Sequence, residues 1–367
     1  MPGKLADISK KNGLLWDKNS CYMDSVLFSL LYQNTPFVKD RLLKPIAIHR
    51  QENNSIVYNK NNDNMPQLLK NVYLIINTGE KSISNTHIFR NKLKNYIQLN
   101  GVTFPKFYQN DTQDASEFLK FIFSELTKND KIKIHPVNCM IKLEQKLYTN
   151  ETDNSLFNLK MSNDTNKKKI YEENILKKDI PIYDILPNTS PFIIPKYGIK
   201  GTDIQTILDF GEYIDNNHVN VNHKGQNFKR VVYRTSLLKT PYLIITLPRM
   251  TMTEPTFDII KKKQKITPNQ YIKISDCKLY LNSIIVHIGN ENKGHYICFF
   301  HYNNKWYLYD DIQFLFKPTF KEIGTYKDLL NYPQSDKKDT VNPFFSIEQN
   351  ATIFIYTKKI KSKNKKK

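Results

Sequence analysis

The 367-residue sequence predicts an α+β protein, with a mostly helical first lobe to about residue 130 and strands thereafter. Two apolar stripes at helical spacing and a series of apolar strand-like runs from residue 241 to 356 carry that expectation. The 22 Tyr and 21 Phe also favour extensive β structure. At 40% hydrophobic residues the chain can bury a sizeable core, and its length suits one large multi-lobed domain or two.

The first stripe is Met23, Val26, Leu27, Leu30 and Leu31, the pattern of a helix packed on a core. Asn19 and Ser20 are good N-cap residues, and Asp24 falls in the first turn, where a carboxylate suits the helix dipole. Cys21 therefore lands beside free backbone N–H groups, which would favour thiolate and lower its pKa. A buried structural cysteine is the plain alternative. Residues 50 to 65 are polar and read as a loop or insertion. The second stripe is Ala115, Phe118, Leu119, Ile122 and Leu126, with Asp111 and Asp114 resembling a capping pair. From about 131 to 240 the chain is rich in Lys, Asn and Asp with short β-like runs, and residues 162 to 169 look like an exposed excursion.

Residues 295 to 302 (HYICFFHY) are aromatic and β-branched, Asn303-Asn304 reads as a turn, and residues 306 to 310 return as a strand. A two-residue loop pairs Tyr302 with Lys305 and puts His295 and Asp310 on one face as diagonal neighbours. Asp311 then points the other way. A three-residue loop would bring Asp311 to the histidine instead, so Asp311 is held in reserve. A carboxylate beside His295 fixes its tautomer and stabilises imidazolium, as a Cys-His-Asp nucleophilic site requires. An ordinary hairpin with a polar end is the alternative.

These residues together resemble a family. Asn19-Ser-Cys-Tyr-Met-Asp-Ser25 is similar to the Cys box of ubiquitin-specific proteases, and Gly294-His-Tyr with Trp306-Tyr-x-x-Asp-Asp311 to their His box. Gln113-Asp-Ala-Ser-Glu-Phe-Leu119 looks like the QDAxEFL element between them. Weaker echoes fall in order at 241–249, 285–289 and 351–356, so the resemblance spans nearly the whole chain. It implies a papain-like cysteine protease fold. The thumb would run to about 130, the fingers over about 131–240 and the palm over about 241–357, with a basic disordered tail at 358–367.

The resemblance also implies a deubiquitinating thiol protease of the ubiquitin-like conjugation pathway, cutting after the C-terminal glycine of ubiquitin. Cys21 would be the nucleophile, His295 the general base and later acid, and Asp310 the orienting carboxylate. The expected oxyanion donors are the backbone N–H of Cys21, with Asn19 or Trp16 as further candidates. Asp114 and Glu117 would meet basic residues of ubiquitin and its tail; helix-start carboxylates on a solvated face are the alternative. Most family members carry an Asn five residues before the nucleophile, where this chain has Trp16, and a Gly where it has Lys18. Losing one oxyanion donor costs roughly 10²–10³-fold in rate. The Asn19-Ser20 and Asp24-Ser25 pairs bring the Cys box closest to the cylindromatosis-type branch, which prefers linear chains and one extended lysine linkage.

The cysteines, at 21, 139, 277 and 298, lack CxxC spacing, so a disulfide framework is not expected and a reducing, cytoplasmic compartment is. Cys139 stands alone near where a finger zinc pair would sit, and His218 and His223 are read as exposed. No metal or cofactor is expected. The longest apolar runs are strand-sized and the N-terminal segment has no apolar core, so neither a membrane span nor a secretory signal is expected. The net charge of +20 and pI near 9.5 would suit a nucleic-acid or anionic-surface binder. The tail supplies seven of those charges and would serve as a nuclear signal, a nucleic-acid tether or merely a solvated end. The expectation is a monomeric enzyme acting on ubiquitin or polyubiquitin conjugates. Its rivals are a protease of a ubiquitin-like modifier, a catalytically impaired ubiquitin binder and a basic nucleic-acid-binding protein.

Overall fold

The structure, a computed structural model, describes residues 11–35, 38, 42, 65–78, 85–99, 113–128, 141–149, 183–184, 192–193, 203–209, 219–223, 226–237, 242–247, 249–252, 258–274, 277–291, 293–314, 317–332 and 346–359. Asp111, Cys139, His218, most of the 50–65 segment, the 162–169 segment and residues 360–367 lie outside them.

Among the described residues, four helices come first: α1 (Cys21–Leu31), α2 (Met65–Thr78), α3 (Asn85–Leu99) and α4 (Ala115–Lys128). The apolar stripes predicted for α1 and α4 are buried, as are Leu68, Leu69, Val72 and Ile76 of α2 and Phe89, Leu93 and Tyr96 of α3. Helix α1 departs from expectation, since all eleven of its residues are buried, Asp24, Ser25 and Ser29 included. The cause is its place in the packing: α2 and α4 lie on one side and sheet strands on the other. A helix covered all round must satisfy its polar side chains locally. Ser29 does so by donating to the Val26 carbonyl, 2.8 Å away.

A four-stranded antiparallel sheet comprises β1 (Ile141–Thr149), β2 (Tyr183–Asp184), β4 (Val219–His223) and β5 (Gln226–Leu237), in the order β2-β1-β5-β4. The larger sheet has eight strands. Its order is β13 (Lys317–Gly324), β12 (Lys305–Phe314), β11 (Gly294–Tyr302), β10 (Cys277–Gly289), β14 (Ala351–Thr357), β6 (Tyr242–Thr246) and β3 (Phe192–Ile193), with β9 (Tyr271–Ile274) also on β10. A separate ribbon pairs β7 (Met250–Met252) with β8 (Ile259–Lys261), and three short helices follow the chain: α5 (Ile204–Asp209), α6 (Tyr326–Asn331) and α7 (Ile347–Asn350).

The central strands of the large sheet are buried on both faces, and their side chains alternate between two cores. Cys298, Phe300, Tyr307 and Tyr309 face the helices, while Ile297, Phe299, Trp306 and Leu308 enter the second core. Phe28 of α1 stacks on Tyr309 with ring centroids 4.0 Å apart and meets Phe300 edge-on. The Ser25 hydroxyl donates to the Tyr296 carbonyl at 3.0 Å. Helix α1 is thereby locked along β11, with its first residue beside that strand's start.

Candidate active site

Cys21 opens α1, as the sequence predicts, but the entry is not a side-chain cap. Ser20 is helical in backbone and makes no cap bond; its hydroxyl donates instead to Asp24 Oδ2 at 2.5 Å and accepts from the Asp17 N–H at 2.8 Å. The two residues before it are left-handed, with φ 48° at Lys18 and 65° at Asn19. Position 18 is where the resemblance puts a glycine, and this backbone is the one glycine adopts without strain.

The expectation of a low thiol pKa is overturned. Cys21 is pushed up to about 12, first by burial and then by the carboxyl groups of Asp311 and Asp24, against backbone N–H groups of Tyr296 and Tyr22 that favour thiolate. A helix terminus offers about half a unit charge. Loss of water and two nearby acids outweigh it.

The hairpin of β11 and β12 takes the two-residue register: Tyr302 pairs with Lys305 and Cys298 with Tyr309. Asn303 and Asn304 have φ 50° and 65°, the left-handed pair of a type I′ turn. His295 Nε2 lies 2.8 Å from Asp310 Oδ1, which also accepts the Ile312 N–H at 3.0 Å. Asp311 points to the helix side and is fully buried, yet a bulge between Asp310 and Gln313 leaves its Oδ1 3.6 Å from His295 Nε2. Burial, then Asp24, holds the Asp311 carboxyl well above the usual carboxylate range. The Asp24 and Asp311 carboxyl groups are thus close enough, behind the nucleophile, for each to feel the other's charge. Ligand atoms of His295, Asp310 and Asp311 lie within 4.8 Å of one another, close enough for a cation, but His295 already commits Nε2 to Asp310.

Two adjoining cavities form the cleft. One, of about 190 Å³, is lined by Asn19, Cys21, Gln113, Asp114, Gly294 and Tyr296. The other, of about 330 Å³, takes in Glu117, Lys120, Arg249, Met250 and His287 beside Asp114. Asp114 caps α4, its Oδ1 accepting the N–H groups of Ser116 (2.7 Å) and Glu117 (3.0 Å), and its Oδ2 accepts from the Tyr296 hydroxyl at 3.2 Å. Glu117 is exposed on the first turn. Trp16 is 43% exposed, and its backbone N–H donates to the Asp311 carbonyl at 3.1 Å.

Sequence reasoning missed three members. Asp24 read as a dipole carboxylate, and only tertiary packing brings it to Asp311. His287 lines both cavities and is buried; burial, then Lys261 and His295, lowers its pKa to about 4, so it is neutral. A Cβ on Gly294 would stand 2.0 Å from His287 Nε2, so the glycine before His295 is a steric necessity. A histidine on the strand preceding Gly294-His295 was the available signal. Arg90 had none, being one basic residue on a helix of several. Of the two histidines read as exposed, His223 falls within β4, and Cys277 and Cys298 are buried in the large sheet.

A thiol at a helix start, a His-Asp pair on the facing hairpin and a cleft leading to both define a papain-like cysteine hydrolase. The chain belongs to the ubiquitin carboxyl-terminal hydrolase family, whose profile matches residues 12–323. It is a cysteine-type deubiquitinating hydrolase by that membership. Comparison with curated proteins gave no match. Among solved structures it is similar to Ubp8 in the SAGA deubiquitinating module with Sgf11, Sus1 and Sgf73. In the complex with monoubiquitin the TM-score is 0.61 at 15% identity, over 95% of this chain and 69% of that one. The same module with ubiquitin aldehyde also gives 0.61 at 15%, over 97% and 71%. The yeast module carrying a variant Sgf73 gives 0.58 at 15%, over 95% and 69%. At that identity the likeness establishes the fold.

Proposed function

We propose that the protein hydrolyses the bond after the C-terminal glycine of ubiquitin, with Cys21 as nucleophile, His295 as base and acid, and Asp310 as its orienting carboxylate. The observation that carries this reading is the joint between α1 and β11: the Ser25–Tyr296 hydrogen bond sets Cys21 beside the start of the strand that carries His295, and the two elements line one cavity. Cys21 loses its proton to His295 and attacks the glycine carbonyl carbon. The tetrahedral intermediate collapses as imidazolium protonates the leaving amine, giving a thioester. Water, deprotonated by His295, then attacks the thioester and releases the glycine carboxylate and the thiol. Asp310 keeps Nε2 engaged throughout, leaving the other ring nitrogen for the proton.

The cavities lined by Asp114, Glu117 and Tyr296 suit the basic, glycine-ended tail of ubiquitin, in keeping with the ubiquitin complexes of the Ubp8 module. In this reading the lobe to about 130 is the thumb, about 131–240 the fingers and about 241–357 the palm. The enzyme acts as a cytoplasmic monomer, and the Lys-rich tail adds a nuclear or nucleic-acid role. Linear chains are the linkage to try first, because of the cylindromatosis-type Cys box.

The test is a ubiquitin carrying a C-terminal electrophile, beside Cys21→Ser and a ubiquitin-like probe. An adduct with ubiquitin alone, absent in the variant, supports the reading; an adduct only with the ubiquitin-like probe moves the substrate class. A second reading, a ubiquitin binder with impaired catalysis, is favoured by the thiol held at about 12. Binding without labelling would establish it.

A further inference from the structure

Arg90 lies on α3, outside the lining of both cavities, and is buried. Its Nη1 donates to the Asp17 carbonyl and sits 3.4 Å from Asp17 Oδ2; its Nη2 donates to the Lys18 carbonyl at 3.1 Å. The Tyr22 hydroxyl is within its hydrogen-bonding reach as well. A buried guanidinium is costly unless its donors are used. Here both Nη groups go to the backbone directly before the nucleophile, while Nε has no partner.

That backbone does not hold its shape unaided. Lys18 and Asn19 are both left-handed, a conformation costing L-residues roughly 1–2 kcal/mol each. A trans peptide is planar, with its N–H opposite its C=O. Carbonyls 17 and 18 turned to Arg90 therefore turn the N–H groups of Lys18 and Asn19 away from it. Asn19 lines the cavity at Cys21. Trp16, meanwhile, has no carboxamide to offer a developing oxyanion.

Resting on the function proposed above, the geometry points to Arg90 as a positioning residue that aims the Lys18 and Asn19 amide N–H groups at the oxyanion formed on Cys21. The oxyanion site of this chain is then built from backbone and held from behind by α3. Arg90 touches neither substrate nor thiol, and acts only through the loop.

The test compares wild type, Arg90→Met and Arg90→Lys in three measurements. These are kcat and KM on a fluorogenic ubiquitin ester or amide, ubiquitin Kd in a Cys21→Ala background, and affinity for ubiquitin aldehyde. The aldehyde forms a tetrahedral adduct with an oxyanion; free ubiquitin does not. Arg90→Met is expected to lower kcat about 100-fold, the scale of one lost oxyanion donor, with KM and ubiquitin Kd unchanged. Aldehyde affinity should fall in the same proportion as kcat/KM. Arg90→Lys, which can hold one carbonyl but lacks the fork, should fall between. If Arg90→Met melts below the assay temperature, Arg90→Lys decides. Unchanged kcat, or equal losses of ubiquitin and aldehyde affinity, would overturn the proposal. A wild type that binds the aldehyde but does not turn over ubiquitin overturns the substrate reading separately.

Discussion

Two pairs of adjacent residues in this protein share an unusual backbone and owe it to different causes. Asn303-Asn304 and Lys18-Asn19 are all left-handed, with φ 50° and 65° in one pair and 48° and 65° in the other. The asparagines join two paired strands, the twist of their turn matches those strands, and asparagine tolerates the conformation. That turn specifies itself. The other pair has no strand to follow and starts with a lysine, so its shape comes from Arg90 and the Ser20 hydroxyl. One arm of the active site is local in origin and the other tertiary, and substitutions should separate them.

The largest effect is expected on the local arm. Asp310→Asn leaves His295 without a carboxylate and should cut kcat/KM by about 10²–10⁴-fold with the thermal midpoint retained. Asp311 at 3.6 Å does not replace it, because burial holds its carboxyl well above the usual carboxylate range. On the tertiary arm, a thiol near 12 gains thiolate tenfold per pH unit. Alkylation of Cys21 by iodoacetamide in the unliganded protein should therefore climb about 1,000-fold from pH 7 to 10. A plateau near pH 8.5, the free-cysteine value, would contradict this.

Asp24→Asn removes one of the two acids that raise the thiol, and should speed alkylation several-fold at about pH 8. It also bears on stability. A carboxyl whose folded pKa is raised binds its proton more tightly when folded. Its contribution is complete below the unfolded value of about 3.9 and is lost as pH rises toward the folded one. Wild type should thus lose thermal stability as pH rises above about 4, through the raised Asp311 carboxyl, and Asp24→Asn should flatten that slope. The smallest effects compare the two turns directly. Lys18→Gly relieves left-handed strain and should add about 1 kcal/mol in a denaturant titration. Asn304→Gly should stay within about 0.5 kcal/mol, because asparagine already suits its place.

The same division decides what the sequence made legible. The hairpin register follows from two asparagines and alternating aromatics, so the His295–Asp310 contact could be read from local rules. The start of α1 could be read from its apolar stripe, and the cap of α4 from Asp114. The thiol's protonation could not, because it depends on burial and on Asp311, nearly 300 residues away in the chain. Arg90 escaped for a similar reason: nothing near it in sequence marks it as facing the Cys21 loop. Local rules see pairs a few residues apart. They are silent on which buried charge ends up behind which turn.

The burial of Cys21 has a practical consequence for inhibitor discovery. A thiol only 8% exposed and held protonated is a poor target for small electrophiles, whatever their warhead. A fragment library screened against the resting protein would report it as inert. Useful leads would carry their reactive group on a scaffold that first fills the adjoining cavities and brings the imidazole into play.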